Sequence, residues 1–130
     1  MMLFRSTKQT GDIGEDAAVK FLKKKGYKTV ARNFRTPHGE LDIIAENKEY
    51  IVFAEVKTRD IRRDSKYGRP SDAVNKAKQR RIIYSAKLYL SKHPSNKKQR
   101  LDVIEVLKSE DENGKITVSD INHIENAFGG

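Results

Sequence analysis

Residues 39–59, GELDIIAENKEYIVFAEVKTR, decide the fold of this chain. Apolar residues dominate 41–45 and 50–56, and the polar segment 46–49 separates the two runs. Short apolar runs of this kind are typical of strands, and a short polar segment between them is typical of a hairpin. The stretch therefore predicts two antiparallel strands. It also carries three ionisable residues that a half-buried hairpin does not need for folding: Asp42, Glu55 and Lys57.

Strand geometry predicts that these three side chains share one face of the hairpin. Successive side chains of a strand point to opposite faces, so Glu55 and Lys57 lie on the same side. A turn centred on the polar segment places Asp42 opposite Phe53, and a register one pair further along places it opposite Glu55. In both registers the three groups come within about 5–8 Å across the strands.

Two carboxylates at that separation repel each other and lose hydration unless a positive charge lies between them. Mg²⁺ and Mn²⁺ prefer the kind of oxygen ligand that Asp42, Glu55 and the Val56 backbone carbonyl could offer. Such a metal lowers the pKa of its water and neutralises charge on a phosphate during in-line attack. Lys57 would orient or deprotonate the attacking water, or stabilise the developing negative charge. The pattern predicts hydrolysis of a phosphodiester.

A plainer interpretation explains the same residues without chemistry. They could be polar strand residues that face solvent, with Lys57 paired to Glu55 or Glu40, and such tripeptides are common. Ile44, Ile51 and Phe53 are predicted on the same face, however, which indicates burial. Buried charges are costly unless they are paired or functional.

The charge distribution favours a polyanionic partner. The net charge is +9, and residues 73–101 contain no Asp or Glu but nine Lys or Arg. A single-sign patch of this kind is typical of nucleic-acid binding, although solvated helices, anionic membranes and acidic proteins give similar patterns. The basic residues nearest the predicted site are Arg59, Arg62, Arg63, Lys66, Arg69, Lys76, Lys78, Arg80 and Arg81.

The remaining pattern predicts a helix, three strands, a second helix and two more strands. The first helix begins at Asp12 or near Thr7 and ends at Gly26; the second is predicted to open at Ser71. Asn113-Gly114 marks the last hairpin. This order predicts one α/β (α+β) domain over residues 1–130, with 1–10 flexible and a mixed sheet of about five strands flanked by helices.

Composition also narrows the class of protein. The chain has no Cys, which excludes disulfides and thiolate metal sites. No apolar run approaches the ~20 residues of a membrane span, and the opening MMLFRSTKQT is too short a run for a signal peptide. We expect a soluble, cytoplasmic protein.

Seven segments together resemble a known group: GDIGEDAA, NFR, HGELDIIA, FAEVKTR, SDAVNKAKQRRI, RLDVIEV and NHIENAF. In this order, over residues 11–128, they resemble the bacterial YraN family, also called UPF0102. That family is similar to the PD-(D/E)xK nuclease superfamily, which includes restriction endonucleases and archaeal Holliday-junction resolvases. The resemblance implies a restriction-endonuclease-like fold.

The resemblance also implies roles for particular residues. Asp42 corresponds to the superfamily's Asp, and Glu55-Val56-Lys57 to its Glu-x-Lys. Glu15 corresponds to an additional helix acid of resolvase-like members, and Glu40, two residues before Asp42, would support the site. The implied activity is a Mg²⁺- or Mn²⁺-dependent endonuclease, with DNA favoured over RNA as the substrate and branched or structured DNA included. Analogy with resolvases leaves a homodimer open.

Two other functions remain open from the sequence. The chain could be a nucleic-acid-binding module on the same fold without catalysis. It could also be a protein-interaction domain whose basic face meets an acidic partner. Metal-dependent cleavage separates the nuclease from both.

Overall fold

A computed structural model describes residues 7–60 and 74–128, with side chains from residue 12 onward. Within these residues the chain forms two helices and five strands. Their bounds are α1 Thr7–Lys24, β1 Lys28–Thr36, β2 Gly39–Glu46, β3 Tyr50–Asp60, α2 Lys76–Lys92, β4 Lys98–Glu110 and β5 Ile116–Ile124. The element order is the predicted one.

The five strands form one sheet in the order β1-β2-β3-β4-β5. Neighbouring strands are antiparallel except β3 and β4, which are parallel. A parallel pair needs a crossover connection, and α2 lies in that connection. The prediction of an α+β protein with a mixed five-stranded sheet and flanking helices is confirmed, and this architecture agrees with the restriction-endonuclease-like fold.

The helix ends follow from local sequence. Gly26 has φ +94°, a left-handed conformation that favours glycine, and the Tyr27 N–H donates to the Leu22 carbonyl, so α1 ends as predicted. The helix starts at Thr7, the earlier of the two predicted starts; the flexible segment predicted for 1–10 otherwise lies outside the described residues. α2 begins at Lys76, with Asn75 rather than Ser71 as its cap, and the Asn75 side chain accepts a bond from the Lys78 N–H.

Each face of the sheet is covered by one helix. On one face α2 contributes Ile82, Ala86 and Tyr89 to a core with Ile44, Phe53 and Val103. On the other face α1 contributes Ala18 and Leu22 to a core with Ile43, Val52 and Ile104. Neither of these two helices in the described part of the chain is long and apolar enough to cross a membrane.

The β2–β3 hairpin adopts the register that directs Asp42 toward Glu55. Ile44 pairs with Phe53, and Ile43 pairs with Ala54. The alternation of faces fails at Asp42, however, because Leu41 packs in the α2 core whereas Ile43 packs in the α1 core. The neighbouring strand is distorted at the same level, where Asn33 has φ 53°. Asp42 therefore lies just beyond the paired part of β2 and β3, and strict alternation was wrong there.

Gly14 lets α1 approach the sheet closely beside Glu15. A Cβ atom at this position would overlap the Thr58 Oγ1 atom on β3. We expect Gly14→Ala to lower the free energy of unfolding by about 1–3 kcal/mol, because the helix must move or the side chain must shift. Urea denaturation measures this change.

The Thr58→Ala background provides the control, because it removes the hydroxyl that the new methyl would meet. In that background Gly14→Ala should cost much less. Equal losses with and without the Thr58 hydroxyl would show that close packing is not the reason for glycine.

A buried polar network lies on the α1 side of the sheet. Asp102, which is fully buried, accepts hydrogen bonds from the Arg100 guanidinium, the His123 Nε2 and the Asn126 backbone N–H. Arg100 also donates to the Tyr27 hydroxyl at 2.6 Å. The network ties β4 to the end of β5 and to the loop after α1.

Candidate active site

The Asp42 side chain serves as a hydrogen-bond acceptor for the backbone of β3. Its Oδ2 accepts a hydrogen bond of 2.8 Å from the Val56 backbone N–H on β3. In an extended strand the N–H and C=O of one residue point to the same side. The Val56 carbonyl, predicted as a metal ligand, is therefore directed toward the strand that carries Asp42.

Glu55 is buried and lies between two lysines. Its Oε1 is 2.6 Å from the Lys78 Nζ and 3.7 Å from the Lys57 Nζ. Asp42 lies beside it, because the hydrogen bond to the Val56 N–H holds the Asp42 carboxylate against β3 at the residue that follows Glu55. The structure thus brings together the three hairpin residues and adds a fourth from α2.

The position of Lys78 was predicted only as part of the basic surface, and its contact with Glu55 was missed. The signal was present in the helix period. Lys78 precedes the buried Ile82 by four residues, so the two lie on the same face of α2. A lysine on the apolar face of a helix is directed toward the sheet.

Burial and neighbouring charges shift the pKa values of this group. Burial, followed by the negative charge of Glu55, raises the pKa of Asp42 to about 8. Burial and then the nearby Lys78 lower the pKa of Lys57. Burial alone would lower the pKa of Lys78, but its contact with Glu55 outweighs this effect and raises it. Like charges on Asp42 and Glu55 therefore oppose each other in the absence of a further cation.

Glu15 approaches the group from α1, and Glu40 lies beside it on β2. The Glu15 side chain is 13% exposed, and its Oε1 is 3.5 Å from the Arg32 Nη2. With its amide nitrogen toward the carboxylates, Asn33 donates to Glu40 at 2.8 Å and to Glu15 at 3.2 Å. Burial raises the pKa of Glu15, and the charge of Glu15 in turn contributes to the raised pKa of Asp42. The structure brings Glu15 to the edge of the site, and Asn33 connects it with Glu40.

The donor set fits a hard divalent cation held by two carboxylates. Within residues 7–60 and 74–128, no three His, Cys, Asp or Glu side chains form a group that could hold a metal ion. The half-buried Asp42 and the buried Glu55 nevertheless supply two neighbouring carboxylates, and the Val56 carbonyl is directed to the same side. Mg²⁺ in phosphate chemistry is usually bound by one or two carboxylates, with the remaining ligands from water and substrate phosphates.

The predicted nucleic-acid contacts are only partly covered by the structure. Lys76, Arg80 and Arg81 are exposed on α2. The Arg59 side chain contacts the neighbouring strand β4, with its Nε 3.5 Å from the Glu105 Oε2. Four further residues lie outside the described part of the chain: Arg62, Arg63, Lys66 and Arg69.

Glu105 is a buried acid near the site that sequence reasoning missed. Glu105 lies next to Lys57 in the register of the parallel strands β3 and β4. Its side chain accepts a hydrogen bond from the Asn122 side chain. Alternation along RLDVIEVL places it inward with Leu101 and Val103, so the signal was available. Its contact with Arg59 extends the line of charged groups from Glu55 along one face.

Fold and site together define a class: an α+β protein with a mixed sheet, whose Asp and Glu-x-Lys residues meet beside a basic helix. Residues 14–106 match the family described as "Uncharacterised protein family UPF0102", and the chain belongs to this family. A UPF0102 protein of Clostridium acetobutylicum is 46% identical, over 97% of this chain and 98% of its own length. Those of Caldanaerobacter subterraneus and Dictyoglomus thermophilum are 44% and 41% identical, over 93% and 95% of this chain and 95% and 99% of their own lengths.

Proposed function

We propose that the protein is a divalent-metal-dependent endonuclease that hydrolyses phosphodiesters in nucleic acid. The observation that carries the proposal is the hydrogen bond of 2.8 Å that holds Asp42 to the Val56 N–H, between Glu55 and Lys57, whose charged groups are 3.7 Å apart. A protein gains little stability from a half-buried carboxylate beside a buried one, so their presence together favours a functional role. The family relationship supports the fold and is silent on the activity.

Each residue has a role that its position allows. Asp42, Glu55 and the Val56 carbonyl would hold Mg²⁺ or Mn²⁺. The ion would supply positive charge to the phosphate as negative charge builds on it. Lys57 would orient or deprotonate the attacking water, or stabilise the developing charge. Glu15, held by Arg32, would assist from α1.

The basic surface of α2 supports nucleic acid as the substrate. Lys76, Arg80 and Arg81 are exposed on the helix that also carries Lys78 into the site. We refer to Asp42 and Glu55 as the acidic pair. A positive surface next to the acidic pair would hold the phosphate backbone of the nucleic acid near the reacting group. DNA is favoured over RNA, with branched or structured DNA included, and the cytoplasm is the expected location. A homodimer is compatible with this function.

The test is cleavage by the purified protein. Branched, single-stranded and linear DNA and RNA would each be incubated with Mn²⁺ or with EDTA, beside Asp42→Ala and Lys57→Ala. We expect cleavage that requires Mn²⁺ and is lost in both variants. Cleavage that survives both substitutions would show that the site is wrong.

A binding module without catalysis is the second candidate. It is favoured by the 2.6 Å contact in which the Lys78 ammonium already neutralises Glu55. This function predicts tight, salt-sensitive binding of nucleic acid and no cleavage of any substrate with any metal.

Metal binding should also be visible in stability. We expect Asp42→Asn to be about 1 kcal/mol more stable than wild type in EDTA, because burial and then the charge of Glu55 disfavour the ionised form of the Asp42 carboxyl, which asparagine lacks. Mn²⁺ should stabilise the wild type, by about 2.7 kcal/mol at a hundredfold excess over Kd, and should leave Asp42→Asn unchanged. Thermal unfolding measures both effects.

Asp120→Asn is the matched control, because Asp120 is an exposed carboxylate on β5. It should respond to Mn²⁺ as the wild type does. An equal response of Asp42→Asn would mean that the ion binds elsewhere.

A further inference from the structure

A second surface lies next to the acidic pair, on the exposed side of α2 and the β1–β2 turn. It consists of Tyr84, His38, Arg80 and Arg81, and we refer to it as the Tyr84 surface. These residues line a cavity of about 460 Å³ together with Ala77. The catalytic roles proposed above use none of them.

Tyr84 is exposed in a way that folding does not explain. Its relative exposure is 45%, and within the described residues Val30, at 38%, is the other large hydrophobic residue exposed to this degree. The ring of Tyr84 lies 4.6 Å from the His38 ring, with an angle of 81° between the planes. This edge-to-face contact holds the aromatic ring in place while much of it remains open to solvent.

The Tyr84 surface is continuous with the candidate active site. A neighbouring cavity of about 520 Å³ shares His38 and Arg81 with it and is also lined by Lys78. Lys78 in turn contacts Glu55 at 2.6 Å. A single bound chain could therefore pass from the Tyr84 ring along Arg81 and Lys78 to the acidic pair.

The combination of an open aromatic ring and guanidinium groups identifies the ligand class. Aromatic side chains stack on nucleobases without regard to sequence, and basic groups beside them bind the backbone. In a duplex each base face is covered by its neighbours, so an open ring selects bases that are unpaired. One acid, Glu40, lies at the border of this basic surface. Its Oε2 is paired with the Arg35 Nε at 3.7 Å.

We propose that the Tyr84 surface binds an unpaired nucleotide next to the phosphodiester that is cut, with the base stacked on Tyr84 and the backbone beside Arg80 and Arg81. The assignment rests on the proposed nuclease function for the position of the cut and deepens it by naming the substrate. The substrate is nucleic acid with a single-stranded segment beside the cleavage site.

Binding in EDTA tests the surface without cleavage. Two fluorescein-labelled DNAs would be compared by anisotropy, a blunt duplex made of two annealed strands and the same duplex with a single-stranded tail. Tyr84→Ala should weaken binding of the tailed DNA about tenfold, as expected for loss of one stacked base, and binding of the blunt DNA less than about twofold. Tyr84→Phe should bind both as the wild type does, because the ring is kept.

Val30→Ala is the matched control, because it removes the other exposed apolar side chain and should change neither affinity. Equal losses on tailed and blunt DNA would overturn the proposal, as would no loss on either. All variants alter exposed side chains, and circular dichroism would verify that they are folded.

An abasic tail shows whether the base itself is contacted. Removing the tail bases should weaken wild-type binding about as much as Tyr84→Ala does, about tenfold. The two changes together should cost no more than either alone. If Tyr84→Ala bound the abasic tail a further tenfold more weakly than the wild type does, the base would not be stacked on Tyr84.

The outcome is independent of catalysis. If the tailed-DNA preference depends on Tyr84 but no metal produces cleavage, the nuclease function is wrong and the binding site stands. If Mn²⁺-dependent cleavage is present but Tyr84→Ala binds tailed DNA normally, the binding site is wrong and the nuclease stands.

Discussion

Lys57→Met is expected to lower the rate of metal-dependent cleavage by about 10²–10⁴-fold, the usual contribution of a positioned acid or base. Methionine keeps the length and apolar body of the side chain and removes the ammonium. Lys57 is half-buried on β3, with its Nζ 3.7 Å from Glu55. The substitution should therefore remove chemistry while the sheet remains packed.

The comparison of rate with binding separates a catalytic role from a general loss of positive charge. Binding of the same DNA in EDTA should change less than about threefold, the effect of a single phosphate contact. Lys87→Met, which removes an exposed lysine from α2, is the control and should cleave at the wild-type rate. A Lys57→Met enzyme that cleaves as fast as this control would exclude Lys57 from the reaction.

Asp102→Asn is expected to lower the free energy of unfolding by about 3–5 kcal/mol, as for other buried charges that lose a partner. The substitution leaves the Arg100 guanidinium and His123 without the carboxylate that both contact. It also weakens the acceptor for the Asn126 N–H, which anchors the end of the chain. Urea denaturation at neutral pH measures the loss, with Asp120→Asn as the exposed control.

The pH dependence of this loss has a definite sign. Burial raises the pKa of Asp102, but the hydrogen bonds from His123, Arg100 and Asn126 outweigh it and hold the pKa below 3.8. A depressed pKa contributes stability that is present above the unfolded value and is lost as pH falls through the folded one. The difference between wild type and Asp102→Asn should therefore shrink below pH 3.8. A difference that is constant down to acid unfolding would show that packing, not charge, is responsible.

The order of elements could be predicted because periodicity and turn residues are local properties. Residues 39–59 predict the hairpin and two alternative registers for it. The structure has the register that directs Asp42 toward Glu55. The break in alternation at Asp42 could not be predicted, because it lies opposite Asn33 of the neighbouring strand, whose left-handed φ of 53° is not a property of residues 39–59. Alternation is a rule for regular strands, and it failed where the site begins.

Strand geometry could predict the hairpin part of the candidate site, and it could not predict the parts contributed by distant elements. Asp42, Glu55 and Lys57 are close in sequence, so strand geometry could group them. Lys78 reaches this face because α2, the crossover helix between β3 and β4, packs on it. Glu105 reaches it because the crossover makes β4 parallel to β3. Glu15 was assigned through the family resemblance, and no spacing argument within this chain connects it with Asp42.

The most direct test of the nuclease function is the time course of DNA cleavage in Mn²⁺ by wild type and Asp42→Asn at equal concentration. We expect wild type to produce fragments steadily, EDTA to stop the reaction, and Asp42→Asn to work at less than about one hundredth of the wild-type rate. Equal rates for the two proteins, or no fragments from wild type with any nucleic acid, would contradict this function.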